Sequence, residues 1–138
     1  MRRRRASSCQ FEITFRCPFH CRHCYTDCYN TAANHRKELS TKDILSLLDR
    51  IYGAGIIWLC FTGGDPLCRK DFLDIYAYAK KKGFLITIFT SAALVNETIA
   101  AYFKESPPFV VEVTVPAATK KTHEFITQVP GSFQRQMR

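Results

Sequence analysis

The sequence lacks the features that mark several classes of protein. No apolar stretch approaches the roughly 20 residues that a membrane-spanning helix needs. The first eight residues contain no apolar segment of the kind found in a secretory signal. Long low-complexity segments are missing too, and 46% of the residues are hydrophobic, which argues against a disordered chain. The 138 residues are enough for one globular domain with its own core.

Acidic residues are scarce relative to basic ones. The chain has 12 Asp and Glu against 20 Lys and Arg, a formal net charge of +8. Four of the basic residues are consecutive, Arg2 to Arg5. A basic arm can bind nucleic acid, but no basic stripe interleaved with aromatic residues accompanies it. We therefore expect residues 1–10 to form a basic, disordered arm and do not expect nucleic acid as a partner.

Cysteine is abundant, and its placement bears on the cellular compartment. The seven cysteines lie within residues 9–28, apart from Cys60 and Cys68. In a small secreted protein they would indicate a disulfide framework. Here they are surrounded by helix and strand patterns, which favours a reducing compartment. We expect a cytoplasmic protein with no membrane partner.

Strand and helix patterns alternate along the chain. Short apolar runs predict four strands, at residues 11–15, 56–61, 84–89 and 109–115. Capping residues and helical periodicity predict four helices, the first from residue 40 to a glycine at 53 or 55, and the others at residues 71–82, 96–104 and 119–127. Alternation of this kind predicts an α/β fold with a parallel sheet and right-handed crossovers. Such sheets place their chemistry at the carboxyl ends of the strands.

Three cysteines follow the first predicted strand at close spacing. Cys17, Cys21 and Cys24 form a C-x3-C-x2-C triad within eight residues. Three thiolates so close in sequence can converge on one metal centre. Closed zinc sites and ordinary iron–sulfur clusters use four ligands, so the triad is one short. The spacing suggests an iron–sulfur cluster with one iron left open to a ligand from outside the protein.

A second motif follows the second predicted strand. Gly63 and Gly64 lack a Cβ, so backbone there can approach a ligand closely, and Asp65 can accept a hydrogen bond from an ammonium group. The alternative is a strand-ending turn, because Gly-Asp-Pro is common turn chemistry. Ser91 occupies the corresponding place after the third predicted strand.

These motifs together resemble the radical S-adenosylmethionine (SAM) superfamily. From about residue 11 to 133 the chain is similar to the first part of a radical SAM core, a partial (β/α) barrel, in its peptide-maturase-like members that carry a C-terminal auxiliary-cluster (SPASM) domain. The matching segments are the triad through Tyr25, the Gly-Gly-Asp-Pro-Leu motif, and residues 89–91, 113–115 and 118–133.

The resemblance implies specific cofactors. Cys17, Cys21 and Cys24 would bind three irons of a [4Fe-4S] cluster, and the amino and carboxylate groups of SAM would chelate the fourth. A reduced cluster would pass an electron to the sulfonium, the carbon–sulfur bond would cleave homolytically, and the 5′-deoxyadenosyl radical would abstract hydrogen from substrate. The implied enzyme would take electrons from a reductant such as flavodoxin or ferredoxin. Its implied substrate is a peptide or protein undergoing maturation.

The resemblance also implies which residues contact SAM. Gly63, Gly64 and Asp65 would hold its amino group. Ser91 and Thr114 would contact its carboxylate or ribose. Tyr25 would lie in the region that borders the adenine.

Two departures from the family leave alternatives open. Asp65 stands where the family usually has glutamate, one methylene longer. The core at residues 11–138 offers about four strand–helix units and is expected to be incomplete at its C-terminus, so an inactive truncated fragment is one alternative. A small zinc-binding interaction module that uses His20, His23 and Cys28 is another.

We expect no functional role for the remaining cysteines and histidines. We expect Cys28 to be a bystander and Cys60 to be a small core residue. Cys9 and Cys68 have no partner pattern. We expect His35 and His123 to lie at the surface.

Overall fold

The computed structural model describes residues 6–138, so the basic run Arg2 to Arg5 lies outside it. Within the described residues, four strands are present: β1 (Ser8–Thr14), β2 (Trp58–Gly63), β3 (Leu85–Thr90) and β4 (Val110–Val113). Six α-helices accompany them over the same residues: α1 (Ala32–His35), α2 (Thr41–Gly53), α3 (Phe72–Lys82), α4 (Glu97–Glu105), α5 (Lys120–Thr127) and α6 (Ser132–Gln136). Short 3₁₀ turns span Asp27–Tyr29 and Pro66–Cys68.

The strands form one parallel sheet in the order β1-β2-β3-β4. Phe11 is in register with Phe61, and Phe61 with Ile88. Every pair of neighbours is joined by a helical connection, so the predicted α/β fold with four strand–helix units is confirmed. The carboxyl ends of all four strands therefore lie along one edge of the sheet.

The core lies on one face of this sheet. Leu59, Phe61 and Ile88 point from the strands toward Ile44 of α2 and Ile75 of α3, all with at most 1% of their surface exposed. The caps that the sequence suggests are present: the Ser40 side chain accepts from the Asp43 amide at 3.2 Å, and Gly83 ends α3 with φ of 95°. The sequence pattern is therefore a sound guide to the helix boundaries here.

The continuous apolar run at residues 56–61 predicts a strand that is buried on both faces of the sheet, and this prediction is wrong. Side chains alternate across a strand, so Leu59 and Phe61 enter the core while Trp58 and Cys60 point the other way. Trp58 is 39% exposed and Cys60 is only partly buried. Cys60 is therefore not a core residue; it lines a groove on the opposite face of the sheet.

β1 begins three residues before its predicted start. Ser8 pairs with Trp58 and Gln10 with Cys60, so residues 8–10 belong to the sheet instead of the expected arm. Ser8 and Gln10 are exposed while Cys9 packs against the core. A search for continuous apolar runs does not detect this part of the strand, because its residues alternate between polar and apolar.

Two helices and one buried histidine are missing from the sequence predictions. α1 and α6 have four and five residues, too short to show a helical period. His123, expected at the surface, is fully buried in α5. Every helix in residues 6–138 falls short of the length and apolarity needed to cross a membrane.

Candidate functional site

The residues singled out in the sequence meet at one cavity of about 320 Å³ at the carboxyl edge of the sheet. Its lining includes every residue predicted to bind the cluster or SAM: Cys17, Cys21, Cys24, Tyr25, Gly63, Gly64, Asp65, Ser91 and Thr114. They come from the loop after β1 and from the ends of β2, β3 and β4. The parallel sheet brings together segments that lie almost 100 residues apart in the chain.

A buried carboxylate fixes the start of the cysteine loop. Glu38 Oε1 accepts from the Thr14 hydroxyl at 2.7 Å and from the Phe15 amide at 2.9 Å. Its other oxygen lies 3.2 Å from an Arg16 guanidinium nitrogen, and the Glu38 side chain is only 7% exposed. These contacts fix the backbone immediately before Cys17, the first cysteine of the triad. No local sequence pattern marks Glu38, because its partners Thr14 and Phe15 lie more than 20 residues away in the chain.

The glycine pair lies against the backbone that follows β1. A Cβ on Gly64 would lie 2.2 Å from the Arg16 carbonyl oxygen, and one on Gly63 would lie 2.2 Å from the Thr14 carbonyl oxygen. The Gly64 amide donates to Thr14 O at 2.8 Å. Both glycines line the cavity, but the close approach that excludes a side chain is to the backbone after β1. They hold the end of β2 against the cysteine loop.

Asp65 is fully buried, and its carboxylate is saturated by protein donors. Oδ1 accepts from the Leu67 amide at 3.1 Å and from the Thr90 hydroxyl at 2.9 Å. Oδ2 accepts from the Ser91 amide at 2.9 Å and from the Ser91 hydroxyl at 2.7 Å. A carboxylate offers about four lone-pair positions, and these four bonds fill them. In this state Asp65 joins the ends of β2 and β3.

The three thiols of the triad are free and half-buried at the cavity. Burial raises the pKa of Cys17 to about 12, with smaller contributions from Asp65 and Cys68. Burial also raises the pKa of Cys21, assisted by Cys24. Iron binds thiolates, so loading a metal here displaces protons from protonated thiols. Cys24 lies 3.3 Å from the Thr26 hydroxyl.

Tyr25 stands at the open rim of the cavity. The residue is 72% exposed, and its hydroxyl donates to Glu12 Oε1 at 3.1 Å. This bond to the carboxylate is the main reason that the pKa of Tyr25 is raised. The contact links the cysteine loop to the outward face of β1.

The zinc alternative gains no support from the structure. His20 Nδ1 lies 2.9 Å from Asp27 Oδ1, and the Cys28 thiol is exposed. Among residues 6–138, no three His, Cys, Asp or Glu side chains are grouped closely enough to hold a single metal ion. Cys28 does not line the main cavity, in keeping with its expected bystander role.

A [4Fe-4S] cluster and SAM fit the donor set. Each cluster thiolate binds a different iron, so its three ligands need not share the coordination shell of one ion. The triad supplies three free thiols, and the cavity beside them is lined by glycine backbone and by hydroxyl groups from Thr62, Ser91 and Thr114. Such a surface offers both donors and acceptors to a zwitterionic ligand.

The sequence matches a protein-family model and several curated proteins. Residues 11–138 match the sequence model of the Radical SAM superfamily. The chain is 28% identical over 128 residues to an AdoMet-dependent heme synthase from Nitratidesulfovibrio vulgaris, covering 93% of this chain and 34% of that protein. It is 30% identical over 128 residues to an Fe-coproporphyrin III synthase from Methanosarcina barkeri, covering 93% of this chain and 31% of that protein. The chain thus spans about a third of the length of these curated relatives.

A solved structure shows the same fold. The crystal structure of SuiB from Streptococcus suis aligns with a TM-score of 0.75 at 15% sequence identity, covering 94% of this chain and 29% of that chain. At this identity the likeness concerns the fold alone. The match to the family model over residues 11–138 shows the family: the chain belongs to the radical SAM superfamily.

Proposed function

We propose that this chain forms the part of a radical SAM catalytic core that binds a [4Fe-4S] cluster through Cys17, Cys21 and Cys24. The supporting observation is that the triad shares one cavity with the ends of β2, β3 and β4. When bound, the cluster and SAM supply one-electron cleavage of the carbon–sulfur bond of SAM, giving a 5′-deoxyadenosyl radical that takes hydrogen from substrate. Electrons come from a reductant such as flavodoxin or ferredoxin in a reducing cytoplasm, where thiols stay reduced.

The protein itself holds the cysteine loop in place and orients SAM beside it. Glu38 and the glycine pair hold the loop that bears the thiols, as the contacts of Thr14 and Arg16 indicate. In this proposal Ser91 and Thr114 contact the carboxylate or ribose of SAM and Tyr25 borders its adenine, which is supported by the presence of all three in the cavity lining.

The SAM amino group is best received by backbone beside Gly63 and Gly64. The Asp65 carboxylate has its lone pairs occupied by Leu67, Thr90 and Ser91. An ammonium group would have to displace one of these donors to reach it. We therefore assign Asp65 a positioning role, holding Ser91 at the cavity.

The substrate class is proposed separately for the assembled enzyme. The sequence resemblance favoured a peptide, whereas the relatives named above are a heme synthase and an Fe-coproporphyrin III synthase. At 28–30% identity over nearly the whole chain, these relatives favour a tetrapyrrole over a peptide. A small peptide panel and an iron porphyrin, each supplied to the reduced, SAM-loaded protein, would distinguish the two by which one increases 5′-deoxyadenosine release.

Anaerobic reconstitution tests the cofactor proposal. The full chain should take up about four irons and four sulfides. After reduction, addition of SAM should change the electron paramagnetic resonance spectrum of the cluster, because one iron has no protein ligand. A loaded cluster whose spectrum is unmoved by SAM would contradict the proposal, as would a chain that binds one zinc and no sulfide.

A further inference from the structure

The C-terminal end of α5 is hydrogen-bonded to the cysteine loop. The final carbonyls of a helix have no partner within it. At the end of α5, the Thr127 carbonyl accepts from the His20 amide at 3.0 Å and the Ile126 carbonyl from the Arg22 amide at 2.9 Å. The Gln128 side chain also donates to the His20 carbonyl. The loop between the thiols is therefore anchored on α5.

Side-chain packing strengthens this anchor. Phe19, between the first two cysteines of the triad, is 3% exposed and lines the cavity. Its ring meets that of His123 edge to face, with centroids 6.1 Å apart. On the outer side, the Arg22 guanidinium carbon lies 4.2 Å from the centre of the Phe125 ring.

His123 connects this anchor to the strand ends. It is fully buried, with Nδ1 3.0 Å from the Ser132 hydroxyl and Nε2 2.5 Å from Gln136 Oε1. The Gln136 amide nitrogen in turn lies 2.7 Å from the Ser91 carbonyl and 2.6 Å from the Thr114 carbonyl. Ser91 and Thr114 both line the cavity at the ends of β3 and β4.

The Ser91 and Thr114 carbonyls fix the direction of the hydrogen bonds of Gln136 and of His123 Nε2. Carbonyl oxygens only accept hydrogen bonds, so the nitrogen of the Gln136 amide must face the Ser91 and Thr114 carbonyls. Each of its two hydrogens is donated to one of these oxygens. Its oxygen is left to accept, and His123 Nε2 must therefore carry a proton. In the neutral ring Nδ1 then accepts from the Ser132 hydroxyl. Thr127, 2.7 Å from Ser132 Oγ, supplies the next hydroxyl proton.

We propose that His123 and Gln136 are positioning residues that set the ends of β3 and β4 relative to the cysteine loop. Gln136 clamps the Ser91 and Thr114 carbonyls to each other, and His123 ties that clamp to the helix that anchors the loop. This pair thereby determines how well SAM is held beside the cluster. The inference rests on the proposed function, and it adds residues that the triad and the glycine motif do not include.

A matched pair of charge variants tests the clamp. In Gln136→Glu, a carboxylate oxygen replaces the amide nitrogen and faces two carbonyl oxygens, which repels both strand ends. We expect SAM affinity to fall about tenfold or more, with iron and sulfide content unchanged. Gln134→Glu adds the same charge to an exposed position of the same helix and should leave affinity within about twofold. Equal affinity in the two variants would overturn the proposal.

A second measurement needs no cofactor. Nitrogen-15 NMR of the histidine rings in the cluster-free chain should show His123 protonated at Nε2. Protonation at Nδ1 alone would contradict the bond directions, whether or not Gln136→Glu folds. Failure of the unaltered chain to bind SAM would count against the proposed function, while the tautomer would still decide the arrangement around His123.

Discussion

The Asp65 carboxylate and the Ser91 hydroxyl lie 2.7 Å apart, across the ends of β2 and β3. The Ser91 amide donates to the same carboxylate oxygen at 2.9 Å. A residue in the position of the family's glutamate is thus turned toward the neighbouring strand. Its shorter side chain is accommodated by direct hydrogen bonds that close the sheet at this edge.

Substitution of Asp65 should lower the free energy of unfolding, because we assign this residue a positioning role and not direct contact with SAM. In Asp65→Asn an amide nitrogen replaces one acceptor and faces an N–H or hydroxyl donor, and we expect a loss of about 1–3 kcal/mol. In Asp65→Glu the extra methylene has no free space at a fully buried site, with a similar cost. Chemical denaturation of both variants measures this. Full stability in Asp65→Glu, with tighter SAM binding, would instead favour direct contact between the carboxylate and SAM.

Gly64→Ala should disturb the cysteine loop even without any ligand. The added Cβ would meet the Arg16 carbonyl carbon at 2.6 Å as well as its oxygen, so backbone must shift. We expect destabilisation of about 2 kcal/mol or more and reduced iron uptake. Gly53→Ala, at a helix position with nothing within 4 Å of the new Cβ, is the control and should be neutral or mildly stabilising. Equal stability of the two variants would refute this account of the glycine pair.

The ion pair between Arg69 and Asp71 should make the free energy of unfolding fall at low pH. Burial acts to raise the pKa of Asp71, but hydrogen bonds from Arg69 and Thr41 outweigh it and leave that pKa below its ordinary value. A lowered folded pKa gives stability that is present above the unfolded carboxyl pKa of about 3.9 and is lost as the pH falls through the folded value.

Unfolding free energies of the unaltered chain and Asp71→Asn, measured from about pH 7 to about pH 2, should therefore converge at the acid end. Asp74→Asn, exposed on the same helix, should run parallel to the unaltered chain. A constant gap between the unaltered chain and Asp71→Asn over the whole range would contradict the assignment.

The β4 edge should promote self-association. Within residues 6–138, β4 pairs with β3 on one side only, and Val111 and Val113 are 43% and 44% exposed. An unpaired strand rich in β-branched residues can pair with another chain. Val113→Lys should lower the apparent mass in size-exclusion chromatography, whereas Val95→Lys, an exposed valine away from the edge, should not. A monomer at all concentrations in the unaltered chain would contradict this expectation.

Much of the fold could be predicted from local patterns. Core residues such as Ile44 and Ile75 recur with the helical period, and the strands are short apolar runs between caps. The convergence of Cys17 with Ser91 followed from the edge rule for parallel sheets.

What could not be predicted depends on long-range contacts. His123 looks like a surface residue because its partners, Ser132 and Gln136, come later and from a helix too short to detect. The close approach of Gly64 to Arg16 could not be predicted either, because the sequence around a glycine does not show which backbone segment packs against it. The partial exposure of Cys60 cannot be predicted either, because an apolar run does not show that one face of its strand is uncovered.

The most direct test of the cluster assignment is the iron and sulfide content of single cysteine variants after anaerobic reconstitution. Cys17→Ala, Cys21→Ala and Cys24→Ala should each abolish the cluster, because each removes the ligand of one iron. Cys28→Ala, in the same loop but exposed, should retain close to four irons and four sulfides per chain. Loss of the cluster in Cys28→Ala, or its retention in any of the other three, would contradict the account.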